Sequence, residues 1–538
     1  MKKLPPLPEL PEEEKTPVVR LLLAFIEQQQ EVIIEQQAEI DNLKSEVARL
    51  KKLPSKPKIK PSKLPKDDGN DNPTGHSGNR GGNKGKQRKR QHKNKRVIHK
   101  TTIIQPDNLP QGSRFLGYQD YHIQDLLIQP FNTRYRLARY QTPDGNYCIG
   151  KLPGSLVGQH FGHTLQSYII YQYYHQRVTQ QLIKKQLADW GIAISTGQIQ
   201  NILIHHKPTF HDEKNELLTA GLQNSSYIHV DDTGSRHQGK NGYCTHIGNE
   251  KFAWFESTAT KSRINFLKLL RGASTDYVLN KEAFNYMTQE NLPKQPLSTL
   301  QSHSQQSFHN EEQWEEFLNE QNISNNRHRR IATEATLVGA LLANGFPPEL
   351  VIMSDDAGQF DVLLHTLCWI HTDRVFQRLL PLNETHVKEL DWVHTQIWDI
   401  FSDLKQYKLT PLPQLKTTVE SHFNELCQTQ TSYQSLNLAL RRLAKNKKEL
   451  LLVLERPDIP LHNNLSENDI REYVIKRKIS GTTRTTEGKK CRDTFLSFSK
   501  TCLKQGISFW DFIIDRISNK NLIPYLPDLL AKNVCIID

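Results

Sequence analysis

Residues 51–100 constrain the chain more than any other stretch, because they hold 17 basic and 3 acidic side chains and almost nothing apolar. From KPKIKPSKLPK through GNRGGNKGKQRKR to HKNKR they are rich in Pro, Gly, Asn and Lys. Such a segment buries too little apolar surface to offset chain entropy, so a disordered basic linker is expected over 54–100. It divides the 538 residues into a short N-terminal piece and a long body. Residues 1–50 carry 6 basic against 10 acidic groups, residues 101–538 carry 47 against 45, and the whole chain is +12. A near-neutral body with one basic arm suits contact with a polyanion, and phosphate contacts made this way depend strongly on salt. The plainer reading of the arm is a solvated tether.

Seven cysteines, at 148, 244, 368, 427, 491, 502 and 535, form no CxxC pair. That argues against a disulfide framework or a Cys-rich zinc module and fits a reducing compartment. No apolar run approaches the roughly 20 residues of a membrane span. The N-terminal MKKLPPLPELPEEE has no apolar h-region, so a cytoplasmic protein without a membrane segment is expected.

Within 1–53 a heptad pattern runs over residues 17–53. Val19, Ile26, Ile33, Ile40 and Val47 share one position, and Leu22, Gln29, Gln36, Leu43 and Leu50 the position three residues on. This suits a parallel two-stranded coiled coil and hence a homodimer, with a single helix packed on the chain as the alternative. Residues 101–160 read as a small β-rich segment and 161–220 as a helical region. There VTQQLIKKQLADWGIAISTGQIQNILI resembles a helix-turn-helix, with Leu182, Ile183 and Leu187 as a core face, Gly191 at the turn and Ser195 as a cap.

From 227 the period changes. YIHVDDTG, GYCTHIGN and KFAWFEST read as three short strands, the first bounded by Gly234, followed by the amphipathic KSRINFLKLLRG. A fourth strand, ELVIMSDDAG, precedes a helix containing LCWIHTDRVFQRLL. This predicts an α/β catalytic domain over 221–515 with helical insertions at 273–345 and 382–455, and a C-terminal tail at 516–538.

Three places put carboxylates where such elements end or begin: Asp231 and Asp232 after YIHV, Asp355 and Asp356 after VIMS, and Glu467 at a helix start. Singly, each suits a cap or a turn. Together at one sheet edge they repel, and divalent cations relieve this. Mg²⁺ takes hard oxygen ligands, and two such ions about 4 Å apart clamp the attacking and leaving oxygens of a phosphoryl displacement. On a helix Arg471 and Lys478 fall near the Glu467 face. Cys368 and His371 form a C-x-x-H without a second pair, so a buried cysteine and a structural histidine are expected rather than zinc ligands.

YIHVDDTG, VIMSDDAGQFDVL with LCWIHTDRVF, and IPLHNNLSENDIREYVIKRK together resemble the DDE transposases of insertion-sequence family 66 over residues 227–500. The resemblance implies a ribonuclease-H-like catalytic core, preceded by a coiled coil and a helical DNA-binding region. It implies Asp231, Asp355 and Glu467 as ligands of Mg²⁺ or Mn²⁺, with Arg471 and Lys478 completing the catalytic set. Asn463, Asn464 and Arg477 fall on other marked positions. The implied activity is metal-dependent cleavage of double-stranded DNA at a mobile element's terminal inverted repeats, then strand transfer into target DNA, with small accessory proteins as possible companions. The alternatives are a non-catalytic DNA-binding regulator and a metal-dependent nuclease that does not join strands. The chain departs from the family in having no cysteine before Cys148, where a zinc-finger-like segment is usual. It also has Asp232 in place of Glu, and Ala357 in place of an aromatic residue.

Overall fold

A computed structural model describes residues 98–532, apart from 108–109, 112, 153–157, 159 and 304–305, together with Thr16 and Val19. Apart from those two residues and 98–100, the heptad segment and the basic linker lie outside the described residues. The chain divides into two units, Met1–Asp120 and Tyr121–Asp538; the elements below belong to the second. Its first regular structure is an exposed hairpin, β1 (Arg139–Gln141) and β2 (Tyr147–Ile149), which pairs Arg139 with Ile149. Two short helices, Gln180–Asp189 and Thr196–Ile204, follow across a turn at Gly191 (φ +78). Ser195 and Gln198 close a capping box on the second helix. Ile183 and Leu187 are buried as expected, but Leu182 is 57% exposed and lies outside the core face.

The central sheet begins with an antiparallel meander, β3 (Tyr227–His237), β4 (Lys240–Gly248) and β5 (Ala253–Thr258). β3 runs past Gly234, where the sequence suggested an end. Gln238 and Gly239 both take positive φ, as a two-residue hairpin needs, so pairing continues to His237↔Lys240. Asp231 and Asp232 therefore sit in mid-strand rather than at a strand end. The first insertion contributes a separate pair, β6 (Tyr277–Leu279) and β7 (Gln306–Phe308), and four helices, Lys281–Gln289, Lys294–Gln301, Glu311–Glu320 and Asn326–Ala343.

β8 (Val351–Ser354) then joins β3 in parallel, and β9 (Leu364–Leu367) joins β8, giving the order β5-β4-β3-β8-β9. β9 lies in LHTL, of which the sequence reading covered only Leu367, as the start of the following helix. Four residues carry too little periodicity to be told from the helix Trp369–Gln377 behind them.

Side-chain alternation sorts the sheet into two faces. Ile228, Val230, Ile247 and Trp254 enter the main core, which also takes in the first insertion. Cys244 and Phe255 point the other way, onto Ile470 and Tyr473 of the helix Asn464–Ser480. The second insertion, with helices Glu384–Leu409, Pro413–Gln428, Gln434–Lys445 and Lys447–Leu450, packs a core of its own on Val351, Leu367 and Trp369. Residues beyond 515 belong to the body as well, since Leu526 and Leu530 of the helix Leu526–Lys532 are buried in the main core.

The outer edge of β5 is closed by side chains. The N–H groups of Ala253, Phe255 and Ser257 donate to Thr501 Oγ1, Ser497 Oγ and Asp493 Oδ2 at 3.1, 3.0 and 2.9 Å. Two strand residues rise about 6.7 Å and four helix residues about 6 Å, so an i, i+4, i+8 row on the helix Thr486–Lys504 keeps step with alternate strand amides. Ser497→Ala should leave the Phe255 amide buried without an acceptor. A loss of about 1–3 kcal/mol in urea unfolding is expected, with an unchanged m-value.

Candidate active site

The helix Asn464–Ser480 lies alongside β3. Asn463 at its start meets His229, and Thr483 beyond its end bridges to His237. The eight steps from His229 to His237 and the seventeen-residue helix each span about 26 Å, so the two elements run the same course. Polar groups fix the contact. Asn463 Oδ1 accepts from His229 Nδ1 at 2.8 Å, and its Nδ2 donates to the Val230 carbonyl at 2.8 Å. His246, opposite Asp231 on β4, places Nδ1 2.6 Å from Ser466 Oγ and Nε2 3.2 Å from Asp469 Oδ2. Burial works to raise the Asp469 pKa. The hydrogen bond and charge of His246, with Lys504 at 2.6 Å and Lys500 at 3.6 Å, overcome it and hold the carboxylate well below its usual range. Glu467 sits between these anchors, in the first helical turn.

Strand register brings the two aspartates together. β3 pairs with β8 as Tyr227↔Val351 through His229↔Met353, an offset of 124 residues, and the same offset carries Asp231 onto Asp355. The ladder stops two residues short of Asp231, and β8 ends at Ser354, so both carboxylates stand where the strands part. By alternation Asp231 faces the same side as His229, toward the helix that carries Glu467.

Partial burial, together with the charges of Asp355, Asp232 and Glu467, raises the Asp231 carboxyl from 3.8 to about 7, against the pull of the Asp232 amide at 2.7 Å. Oδ1 of Asp355 is buried and accepts no hydrogen bond. Asp232 faces away and is satisfied by Thr245 Oγ1 at 2.5 Å and Gln359 Nε2 at 3.0 Å. Asp356 pairs with Arg442, whose Nε lies 2.7 Å from its Oδ2.

Glu467 is held from the helix Trp369–Gln377 by Arg374, whose Nη1 lies 3.0 Å from its Oε1 and also donates to His371 Nε2 at 3.0 Å. Among the described residues no three His, Cys, Asp or Glu side chains close round a metal position. The Glu467 carboxylate is engaged by a cation of the chain itself, Arg374. In chemistry the donor set still fits a hard divalent ion, with three carboxylates from three elements, one bearing an orphaned oxygen and one raised by burial and by its neighbours.

Arg471 and Lys478 are exposed on the Glu467 side of the helix. Arg477 reaches β3 instead, its Nη1 so close to Gly234 that a Cβ there would stand 3.1 Å away. Cys368 is buried as expected, its Sγ accepting from the Asn463 amide at 3.2 Å. His371 accepts from Arg374, which in turn addresses Glu467. Their i, i+3 spacing on one helix face was the available signal; their partner lies 93 residues away for Arg374.

Residues 158–279 and 338–491 match the model of the Transposase IS66 family. The chain belongs to that family. It is also 42% identical over 303 residues to the uncharacterized protein y4jO of Sinorhizobium fredii (strain NBRC 101917 / NGR234), a stretch covering 56% of this chain and 94% of that relative. No helix among the described residues is long and apolar enough to cross a membrane.

A raised carboxyl pKa favours the folded state fully below the unfolded value of 3.8, and that benefit is lost as pH rises through about 7. In EDTA, Asp231→Asn should therefore be more stable than the wild type at pH 8, by on the order of 2 kcal/mol, and the difference should vanish toward pH 4. Urea midpoints at the two pH values check this; equal differences at both would count against a raised Asp231 carboxyl.

Proposed function

We propose that this IS66-family protein is a DDE-type DNA transposase, which cleaves double-stranded DNA at the ends of a mobile element and joins the freed ends to target DNA. The observation that carries this reading is that the charges of Asp355 and Glu467 both reach Asp231, the three carboxylates coming from a central strand, the end of its parallel neighbour and the first turn of the helix laid along β3. An antiparallel meander continued by two parallel strands, with carboxylates on the adjoining pair, supports a ribonuclease-H-like core.

Asp231, Asp355 and Glu467 would hold Mg²⁺ or Mn²⁺. Bound there, divalent ions supply an activated water and charge neutralisation at the attacked phosphate. Arg374, itself bonded to His371, holds Glu467 in place on the helix side of the aspartates. Arg471 and Lys478, free on the same helix face, take phosphates of the DNA. The two-helix unit at 180–204 exposes Gln200 and Asn201, amides of the type that pair with adenine edges. The basic arm adds non-specific phosphate contact, and the heptad segment joins two copies so that both element ends are processed together. Small accessory proteins of the same element are expected companions, and the cytoplasm is the expected compartment.

The test is strand transfer on precleaved ends taken from the flanks of the protein's own gene, in Mg²⁺ or Mn²⁺ against EDTA. Glu467→Gln and Asp231→Asn should each reduce joining by at least about 100-fold, the scale lost when one charge-stabilising group is removed. DNA affinity should stay within about twofold, since phosphate contacts dominate it. Normal joining by either variant would overturn the carboxylate assignment. Binding without chemistry by the wild type would favour a regulator, and cutting without joining a nuclease.

A further inference from the structure

The segment 355–363, which links β8 to β9 and begins with Asp355, is fastened from several sides. Arg442 and Asn446 of the second insertion bond Asp356 Oδ2 at 2.7 and 3.1 Å. Gln359 donates to Asp232 of β3. Phe360, 1% exposed, stands edge-on to Phe266 with ring centres 4.9 Å apart. Arg263, opening the helix Arg263–Leu270, donates to the Gly358 carbonyl from Nε and Nη2 at 3.3 and 3.0 Å. Leu363 is held at φ +55, a conformation that costs a non-glycine residue of order 1 kcal/mol and persists where the surroundings over-determine it.

Arg263 is itself oriented by the first insertion. Its Nη1 donates to Tyr286 Oη at 3.1 Å and Glu290 Oε1 at 3.2 Å, with Glu334 Oε2 at 3.7 Å. Tyr286 in turn donates to Glu334 Oε2 at 3.0 Å. Glu334 is 1% exposed. A carboxylate buried to that degree is costly unless paired, and its partners here are Arg263, Tyr286 and Arg330. One edge of the Arg263 guanidinium is thus fixed by the insertion while the other grips the backbone three residues after Asp355.

We infer that the first insertion, residues 273–345, is a positioning device for the carboxylate site. Acting through Glu334, Tyr286 and Arg263, it sets the segment that carries Asp355, and Arg442 of the second insertion steadies the same segment from the other side. Arg263 and Glu334 are positioning residues. They touch neither DNA nor metal, and their effect is on where Asp355 stands. The inference rests on the reading of Asp355 as a site carboxylate.

Arg263→Gln and the near-isosteric Glu334→Gln test it in the full chain. Hydrogen exchange is followed at peptides covering 355–363, where the amides of Phe360 and Val362 are hydrogen-bonded, and at β3 as control. Strand transfer is titrated with Mn²⁺, and DNA affinity is measured alongside. In both variants exchange of the segment should quicken while β3 is unchanged. The half-saturating Mn²⁺ concentration should rise about 10-fold, the usual scale when groups behind a ligand are removed. DNA affinity should stay within about twofold.

A merely structural role would lower the melting temperature and the active fraction but leave the Mn²⁺ midpoint where it was. That outcome, or unaltered exchange at 355–363, overturns the inference while leaving the transposase reading intact. A wild type with no metal-dependent cutting or joining fails the transposase reading, and the inference with it. Should Arg263→Gln not fold, Glu334→Gln alone decides.

Discussion

The site depends on one fully buried amide. Asn463 accepts from His229, donates to the Val230 carbonyl, and gives its backbone N–H to Cys368. It thereby ties the start of the helix Asn464–Ser480 to β3 and to the residue that opens the helix Trp369–Gln377. Glu467 comes four residues later, so its position relative to Asp231 follows from that junction. A hydrophobic contact, being non-directional, would have allowed the helix to slide along β3. Directional bonds at Asn463, repeated at Ser466 against His246, fix its register. Buried polar groups are costly when unpaired, and here pairing makes the placement specific.

The carboxylates were legible in the sequence because each stands in a short stretch whose neighbours announce it: YIHVDD, VIMSDD and HNNLSEND. Their convergence was not legible from spacing alone, since 124 residues of chain separate the aspartates. Convergence is a property of strand register, which appears only once β8 is laid beside β3. The same limit hid β9, four residues whose partner is another strand rather than a local pattern. It also led to Leu182 being assigned to the core, when the helix faces of 180–204 are decided by what packs behind them. His371 and Arg374 were visible as residue types, but their meaning comes from Glu467, across the fold.

Charge is handled unevenly at the site. Asp231 and Asp355 raise one another's cost of charge at the parting of two strands, while Glu467 is engaged by Arg374. The acidic cluster is therefore balanced on the helix side and unbalanced on the sheet side. Negative charge with little compensation lies against the sheet, and the exposed cations Arg471 and Lys478 lie outward along the helix. An anionic strand approaching this surface would meet the cations before the carboxylates.

The row of Asp493, Ser497 and Thr501 has a consequence for assembly. An open edge strand offers a line of amides to which another copy of the same sheet can add. Here alternate amides of β5 are already spent on hydroxyl and carboxylate oxygens of the chain's own helix. Growth of the sheet from one molecule into the next is blocked at that margin. Copies of this protein therefore cannot add strands along β5, and a crowded, partly assembled complex is spared that route to aggregation.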